Sequence, residues 1–238
     1  MKTPQKDSLG DRIKHNYEDR YRISLTRRAP VIIRLDGKAF HTLTRGAEKP
    51  FDAVLASAMY SAASKLIKEV QGAKCAYVQS DEISILVTDF DKLTTDAWFD
   101  YNLQKMTSVS ASIASVEFTR SYGKTGYFDS RAFNIPKDEV INYFRWRYLD
   151  WRRNSIQMLA QSLYSQTELH RKNQAELHEM CFQKGQNWND LCNTWKNGAF
   201  LPFGQVPFSN FNLMADDDVT NEYINSVLYP GEVHESPF

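Results

Sequence analysis

Two aspartates stand where phosphoryl chemistry is easily built. Asp36 follows the apolar run Val31-Ile32-Ile33-Arg34-Leu35 and precedes Gly37, and Asp81 sits beside Glu82 in the polar tetrad Gln79-Ser80-Asp81-Glu82 between two further apolar runs. Carboxylates at the ends of neighbouring strands either repel or share a cation. Magnesium, which takes oxygen ligands and keeps phosphate oxygens in its shell, suits such a pair. Two such ions can clamp an in-line phosphoryl displacement by activating the attacking hydroxyl and neutralising the leaving pyrophosphate. An Asp before Gly is also an ordinary turn residue that caps backbone amides, so the surroundings must decide. Three features favour chemistry. The loop Lys38-Ala39-Phe40-His41 offers backbone amides that could cradle phosphates. Asp81 and Glu82 share a hairpin tip between apolar strands, a costly place for paired charge without a counter-ion. Lys49, just before Pro50 and a helix start, could reach a triphosphate.

The elements that would position these residues can be read from periodicity. Val31 to Leu35 reads as a buried strand ending at Asp36-Gly37. Val54, Leu55, Ala58, Met59, Ala62, Leu66 and Ile67 recur at helical spacing, with Asp52 as N-cap and Gly72 beyond the end. Cys75-Ala76-Tyr77-Val78 and Ile83-Ser84-Ile85-Leu86-Val87 read as a hairpin around the polar tetrad. A second helix is expected over residues 96–120, with Trp98, Leu103, Met106, Ile113 and Val116 as its apolar members. A strand then runs through Arg131-Ala132-Phe133-Asn134-Ile135 to Pro136. The order β-α-β-β-α-β predicts an α+β, ferredoxin-like antiparallel sheet with both helices on one face, its first and third strands adjacent in the middle. Asp36 and Asp81 would then face each other. Helices are predicted over 138–166, 174–184 and 187–196, so the chain divides into a catalytic domain over residues 1–136 and a helical region over residues 137–238, packed on it for RNA contact or assembly. The tail after Asp216 is acidic and shows no pattern.

Composition narrows the class. With 42% hydrophobic and 24% charged residues, the chain reads as a globular protein rather than a disordered one. No run approaches the roughly 18 apolar residues of a membrane span and residues 1–11 lack an apolar core, so a cytoplasmic location without membrane contact is expected. Cys75, Cys181 and Cys192 form no CxxC pair and read as buried free thiols, neither disulfides nor zinc ligands. Lys plus Arg equals Asp plus Glu at 29 each, which excludes coating of nucleic acid by bulk charge and requires any RNA contact to be local. The candidates are Arg145, Arg152 and Arg153 on a helix with interleaved aromatics, together with Lys196. An amphipathic helix with arginines outside and aromatics inside explains the same pattern without RNA.

Arg34-Leu35-Asp36-Gly37-Lys38-Ala39-Phe40-His41, Lys49-Pro50-Phe51-Asp52 and Ala76-Tyr77-Val78-Gln79-Ser80-Asp81-Glu82 resemble the tRNA-His guanylyltransferase family in order and spacing. Phe128-Asp129-Ser130-Arg131 and Asn187-Trp188-Asn189-Asp190-Leu191 are similar to further family segments. The resemblance implies a fold like a polymerase palm, in which Asp36 and Asp81 ligate two Mg2+ ions with the Gly37 carbonyl, and Glu82 joins the catalytic carboxylates. It also implies that Lys38, Ala39, Phe40, His41 and Ser80 hold the triphosphate of the incoming nucleotide and that Lys49 contacts phosphate during activation. The family activates a 5′-monophosphate with ATP or GTP. The 3′-hydroxyl of a nucleoside triphosphate then attacks the activated end, and pyrophosphate is later removed. Where eukaryotic members carry a His-Ile-Asn-Asn-type segment tied to tRNA-His, this chain reads Arg152-Arg153-Asn154-Ser155-Ile156-Gln157. In this it is more similar to the bacterial and archaeal guanylyltransferase-like proteins associated with templated repair of tRNA 5′ ends. A homotetramer is implied as well, for which the apolar segment 199–211 offers an interface.

Two other readings compete. A nucleotide cyclase or cyclic-dinucleotide synthase would use the same pair of aspartates on the same palm. A non-catalytic RNA-binding module would need exposed aromatics on its sheet, whereas the first strand reads as buried.

Overall fold

The computed structural model describes residues 8–208 and 210–230. Only the end of the stretch 1–11 therefore falls within it, and Ser209 and the last eight positions of the acidic tail lie outside the described residues. The strands are β1 (Val31–Gly37), β2 (Ala73–Gln79), β3 (Glu82–Val87), β4 (Phe128–Asn134) and β5 (Ala199–Pro202). The helices, in chain order, are α1 (Leu9–Ile13), α2 (Phe40–Leu43), α3 (Ala53–Glu69), α4 (Leu103–Tyr122), α5 (Val140–Leu163), α6 (Gln166–Leu169), α7 (Gln174–Gln183), α8 (Asn193–Asn197) and α9 (Val219–Leu228). The sheet order is β4-β1-β3-β2-β5 and every pairing is antiparallel, so β1 and β3 lie side by side in the middle as the predicted β-α-β-β-α-β order requires.

Alternation along β1 divides the fold into two layers of packing. Val31, Ile33 and Leu35 join Ile83, Ile85 and Val87 of β3 in a core closed by Ala58, Met59, Ala62 and Leu66 of α3 and by Met106 and Phe118 of α4. Ile32, Leu86, Cys75 and Tyr77 pack in a second core against Val140, Tyr143, Phe144 and Tyr148 of α5 and Ile224 and Leu228 of α9. Beyond the sheet, the far half of α5 builds a third cluster with Leu169, Leu177 and Trp188.

Several expectations need correction. The helix expected from residue 96 begins at Leu103, because Phe99, Asp100 and Tyr101 all take positive φ angles and cannot continue a right-handed helix; Asn102 caps it by accepting from the Lys105 amide. Val116 lies on its outer face, 67% exposed. The segment expected to offer an interface also supplies a fifth strand that was not predicted: Ala199–Pro202 pairs with β2, and Phe200, Phe208 and Phe211 pack in the second core, while Phe203 and Val206 stay exposed. The patternless acidic tail starts α9, since Asp218 accepts from the Thr220 amide at its N-terminus. Cys75 and Cys181 are buried as expected, but Cys192 is exposed. Among the described residues, no helix is long and apolar enough to cross a membrane.

Candidate active site

The face of the sheet toward α5 changes character along its length. Ile32, Leu86 and Cys75 sit over the second core, yet four residues further along β1 the same face carries Asp36, whose register partners are Glu82 on β3 and Asp129 on β4. Gln79 pairs in turn with Glu82. A row of polar side chains thus crosses four strands at one end of the sheet. Ser80 and Asp81 form the two-residue turn joining β2 to β3, with Ser80 at φ 48°, and the Gly37 amide donates to the Asp81 carbonyl at 3.0 Å. That bond ties the end of β1 to the hairpin tip. Asp36 and Asp81 consequently line one cleft, with Arg34, Ser80, Arg147 and Trp151 among its other walls.

The two carboxylates of the hairpin have different neighbours. Glu82 is buried and meets Arg147 Nε at 2.7 Å, Arg147 Nη2 at 3.0 Å and Arg34 Nη2 at 2.5 Å, while Gln79 Nε2 donates to it at 3.2 Å. Its counter-charge is therefore a pair of guanidinium groups. Buried, hydrogen-bonded ion pairs of this kind are stable only while every partner is present. Asp81 has no arginine partner: burial, helped by the nearby charges of Asp36 and Glu82, pushes its carboxyl up to about 6 against the hydrogen bonds it accepts. A carboxyl raised by desolvation beside a second carboxylate is a natural seat for a cation, which would restore its charged form.

The donor set fits magnesium. Asp36, Asp81 and the Gly37 carbonyl offer oxygen alone, and phosphates complete the shell when one or two carboxylates hold the ion. Among the described residues no group of three or more His, Cys, Asp or Glu is arranged to hold a metal, so phosphate oxygens and water would complete the shell. Three polar atoms on residues lining the cleft, Arg34 Nε, Gln79 Oε1 and Trp151 Nε1, are buried without a hydrogen-bond partner. Buried polar atoms are usually satisfied.

Of the other residues singled out from the sequence, Ser80 lines this cleft, whereas Lys38, Ala39, Phe40, His41 and Lys49 do not, and Lys49 lines a separate pocket that shares Met158 with it. Gly37 is required by packing, because a Cβ there would lie 2.4 Å from the Phe40 ring, itself buried against Phe118 and Phe128. Phe40 can therefore offer only its backbone. The Lys38 amide is already donated to the Tyr127 carbonyl at 2.8 Å, which leaves its exposed side chain. Ala39, at φ 56°, turns the chain into α2 without a side-chain cap, so the amides of Phe40 and His41 open a helix and have no partner within it. Lys49 is exposed on a loop pinned by Asp52, which accepts from the Glu48 amide at 2.9 Å and from Leu55 at 2.8 Å.

The proposed RNA cations are engaged elsewhere. Arg145 donates to the Leu213 carbonyl at 2.7 Å and to Asp216, Arg152 to Asn197 at 2.7 Å and Tyr148, Arg153 to Asp150, and Lys196 to the Asn189 carbonyl at 2.6 Å. The expectation of arginines outside and aromatics inside also fails at two positions of α5. Arg147 is buried, and Trp146 is 52% exposed. Buried Tyr143, Arg147, Trp151 and Ser155 follow one another at four-residue spacing, a signal that placed Arg147 on the inner face and was masked by its charge.

Comparison with known proteins places this architecture. A family model described as tRNA-His guanylyltransferase matches residues 11–136. A bacterial tRNA-His guanylyltransferase-like protein, solved in complex with ATP, superposes with a TM-score of 0.88 at 42% identity over 93% of this chain and 100% of that one. A bacterial structure described the same way, in complex with GTP, gives a TM-score of 0.78 at 40% identity over 94% of this chain and its whole length. Among curated relatives, the tRNA-His guanylyltransferase of Schizosaccharomyces pombe is 27% identical over 71% of both chains. A family model covering more than half of the chain and bacterial structures matched along their full length agree with the motifs and the palm-like sheet: the chain belongs to the tRNA-His guanylyltransferase family and is a nucleotidyltransferase.

Proposed function

We propose that the protein adds nucleotides to the 5′ end of tRNA in the 3′ to 5′ direction, using two Mg2+ ions held by Asp36, Asp81 and the Gly37 carbonyl, with ATP or GTP activating the 5′-phosphate. The observation that carries this reading is the shared cleft of Asp36 and Asp81, with Glu82 neutralised separately by Arg34 and Arg147. When bound, the ions would neutralise the pyrophosphate expelled from ATP or GTP as the 5′-phosphate is activated, and would activate the 3′-hydroxyl that then attacks this end and expels the nucleoside monophosphate. The Phe40 and His41 amides, the Ala39 turn, the Ser80 hydroxyl and the Lys38 ammonium take the triphosphate role in this proposal. Lys49 supplies an exposed cation for phosphate during activation. Glu82 acts by holding the hairpin in place through its two arginines. Residues 1–136 carry the chemistry in this proposal, and residues 137–238 contribute α5 over the cleft, RNA contacts from Arg145, Arg152, Arg153 and Lys196, and β5.

Repair of truncated tRNAs fits better than guanylylation of tRNA-His, because Arg152-Arg153-Asn154-Ser155-Ile156-Gln157 lacks the histidine of the eukaryotic segment it resembles in position. Assembly as a homotetramer belongs to the same proposal; Leu9, Ile13, Tyr17 and Tyr21, exposed at four-residue spacing, are an apolar surface it could use. The test is extension of a 5′-phosphorylated tRNA lacking its first nucleotide, with each nucleotide offered singly and the opposing base varied. Incorporation that follows the template base supports repair. Addition of G alone, whatever stands opposite, would favour tRNA-His guanylylation, and cyclic product from labelled GTP without RNA would overturn the proposal.

A further inference from the structure

All four basic residues assigned to RNA are tied to partners within the protein, which leaves open what receives the RNA end at the cleft. Trp146 on α5 is 52% exposed, although an indole has much to gain from burial. Its ring is not free to wander. The buried Arg147 guanidinium lies 4.3 Å from the ring centroid, that of Arg34 lies 5.8 Å away, and Tyr143 meets it edge-on at 5.9 Å. Both arginines also line the cleft of Asp36 and Asp81.

We propose that Trp146 is the platform on which the terminal base at the 5′ end of the RNA substrate stacks. This inference rests on the proposed function and names the contact that would bring the 5′-phosphate to the carboxylates. A preorganised aromatic costs little ordering entropy on binding, and every base has a π-face, so such a platform accepts any 5′ nucleotide. Repair of different tRNAs needs that tolerance. The guanidinium groups of Arg34 and Arg147 beside the ring, with Arg131, 53% exposed and paired with Asp129, and Arg153, 62% exposed and paired with Asp150, favour a phosphate-bearing occupant over a second protein. Cations beside a stacking face are the usual equipment for single bases and their phosphates.

The test uses a 5′-monophosphorylated RNA hairpin with 2-aminopurine as its first nucleotide. Stacking on wild-type protein should quench its fluorescence. Trp146→Ala should lose the quenching and raise the dissociation constant for RNA about 10-fold, whereas Trp146→Phe should restore most of both. Thermal melts should show that neither variant unfolds, as the ring is half in solvent. Quenching that persists in Trp146→Ala, or is absent from the wild type, overturns the proposal. So does unchanged RNA binding accompanied by loss of oligomers in light scattering, which would make the ring a subunit contact. Failure of nucleotide addition with quenching intact would count against the proposed reaction and leave the platform standing.

Discussion

The two faces of the central sheet make opposite demands on the same strand. Toward α3 and α4, Val31, Ile33 and Leu35 stay apolar to the end of β1. Toward α5, Ile32 gives way to Arg34 and Asp36. The first face maximises burial. The second gives its last two positions to charge, and it can do so because α5 brings Arg147 to Glu82 and leaves a cleft over the aspartates. Stability and chemistry are thus separated by side-chain alternation rather than by domain.

The largest effect should come from the charged end. Asp36→Ala or Asp81→Ala should reduce nucleotide addition by at least about 1000-fold, the scale of losing charge stabilisation at a transition state, while circular dichroism and tRNA affinity stay near wild type. Near-full turnover of either variant with magnesium would show that the cleft is not the site. Next, Arg147→Met and Leu35→Ala should look alike by urea denaturation and unlike in activity. The first leaves Glu82 short of a partner, at a cost of about 3–5 kcal/mol, and the second leaves a cavity costing about 2–5 kcal/mol. Only Arg147→Met should also slow turnover per folded molecule; equal turnover in both would dissolve the distinction between the faces.

A smaller and opposite effect is expected at Asp81. Its carboxyl titrates at about 6, above the ordinary 3.8. The folded protein therefore binds a proton that the unfolded chain has already lost, and this contribution to stability is present below about 3.8 and gone above about 6. Asp81→Asn should raise the melting temperature at pH 7, and the gain should vanish as the pH falls toward 4. A gain independent of pH would mean that burial does not govern this group. The smallest change is expected for Arg152→Ala combined with Arg153→Ala, which should weaken tRNA binding about threefold at moderate salt. No change at all would remove both residues from the RNA surface.

The repeating elements of the fold were legible because their signals were local. The periodicity of α3, its Asp52 cap and the short apolar runs of β1, β2 and β3 predicted the palm order, and the order alone implied that Asp36 and Asp81 meet. What stayed hidden depended on distant partners. β5 is four residues long, Ala199–Pro202, and it becomes a strand only because β2 offers an open edge. Asp218 reads as one more acid until α9 needs a cap. The pairing of Glu82 with Arg34 and Arg147 spans 65 residues on its longer arm and carries no sequence pattern beyond the spacing that puts Arg147 in line with Tyr143 and Trp151.

The row that crosses Asp129, Asp36, Glu82 and Gln79 also works as a key for assembling the sheet. If β1 slid by one residue against its neighbours, Arg34 and Asp36 would turn into the oily layer under α3 and α4, and Ile33 and Leu35 would turn toward the guanidinium of Arg147. Both moves are prohibitively unfavourable, so the side chains that perform the reaction also reject misaligned sheets while the protein folds.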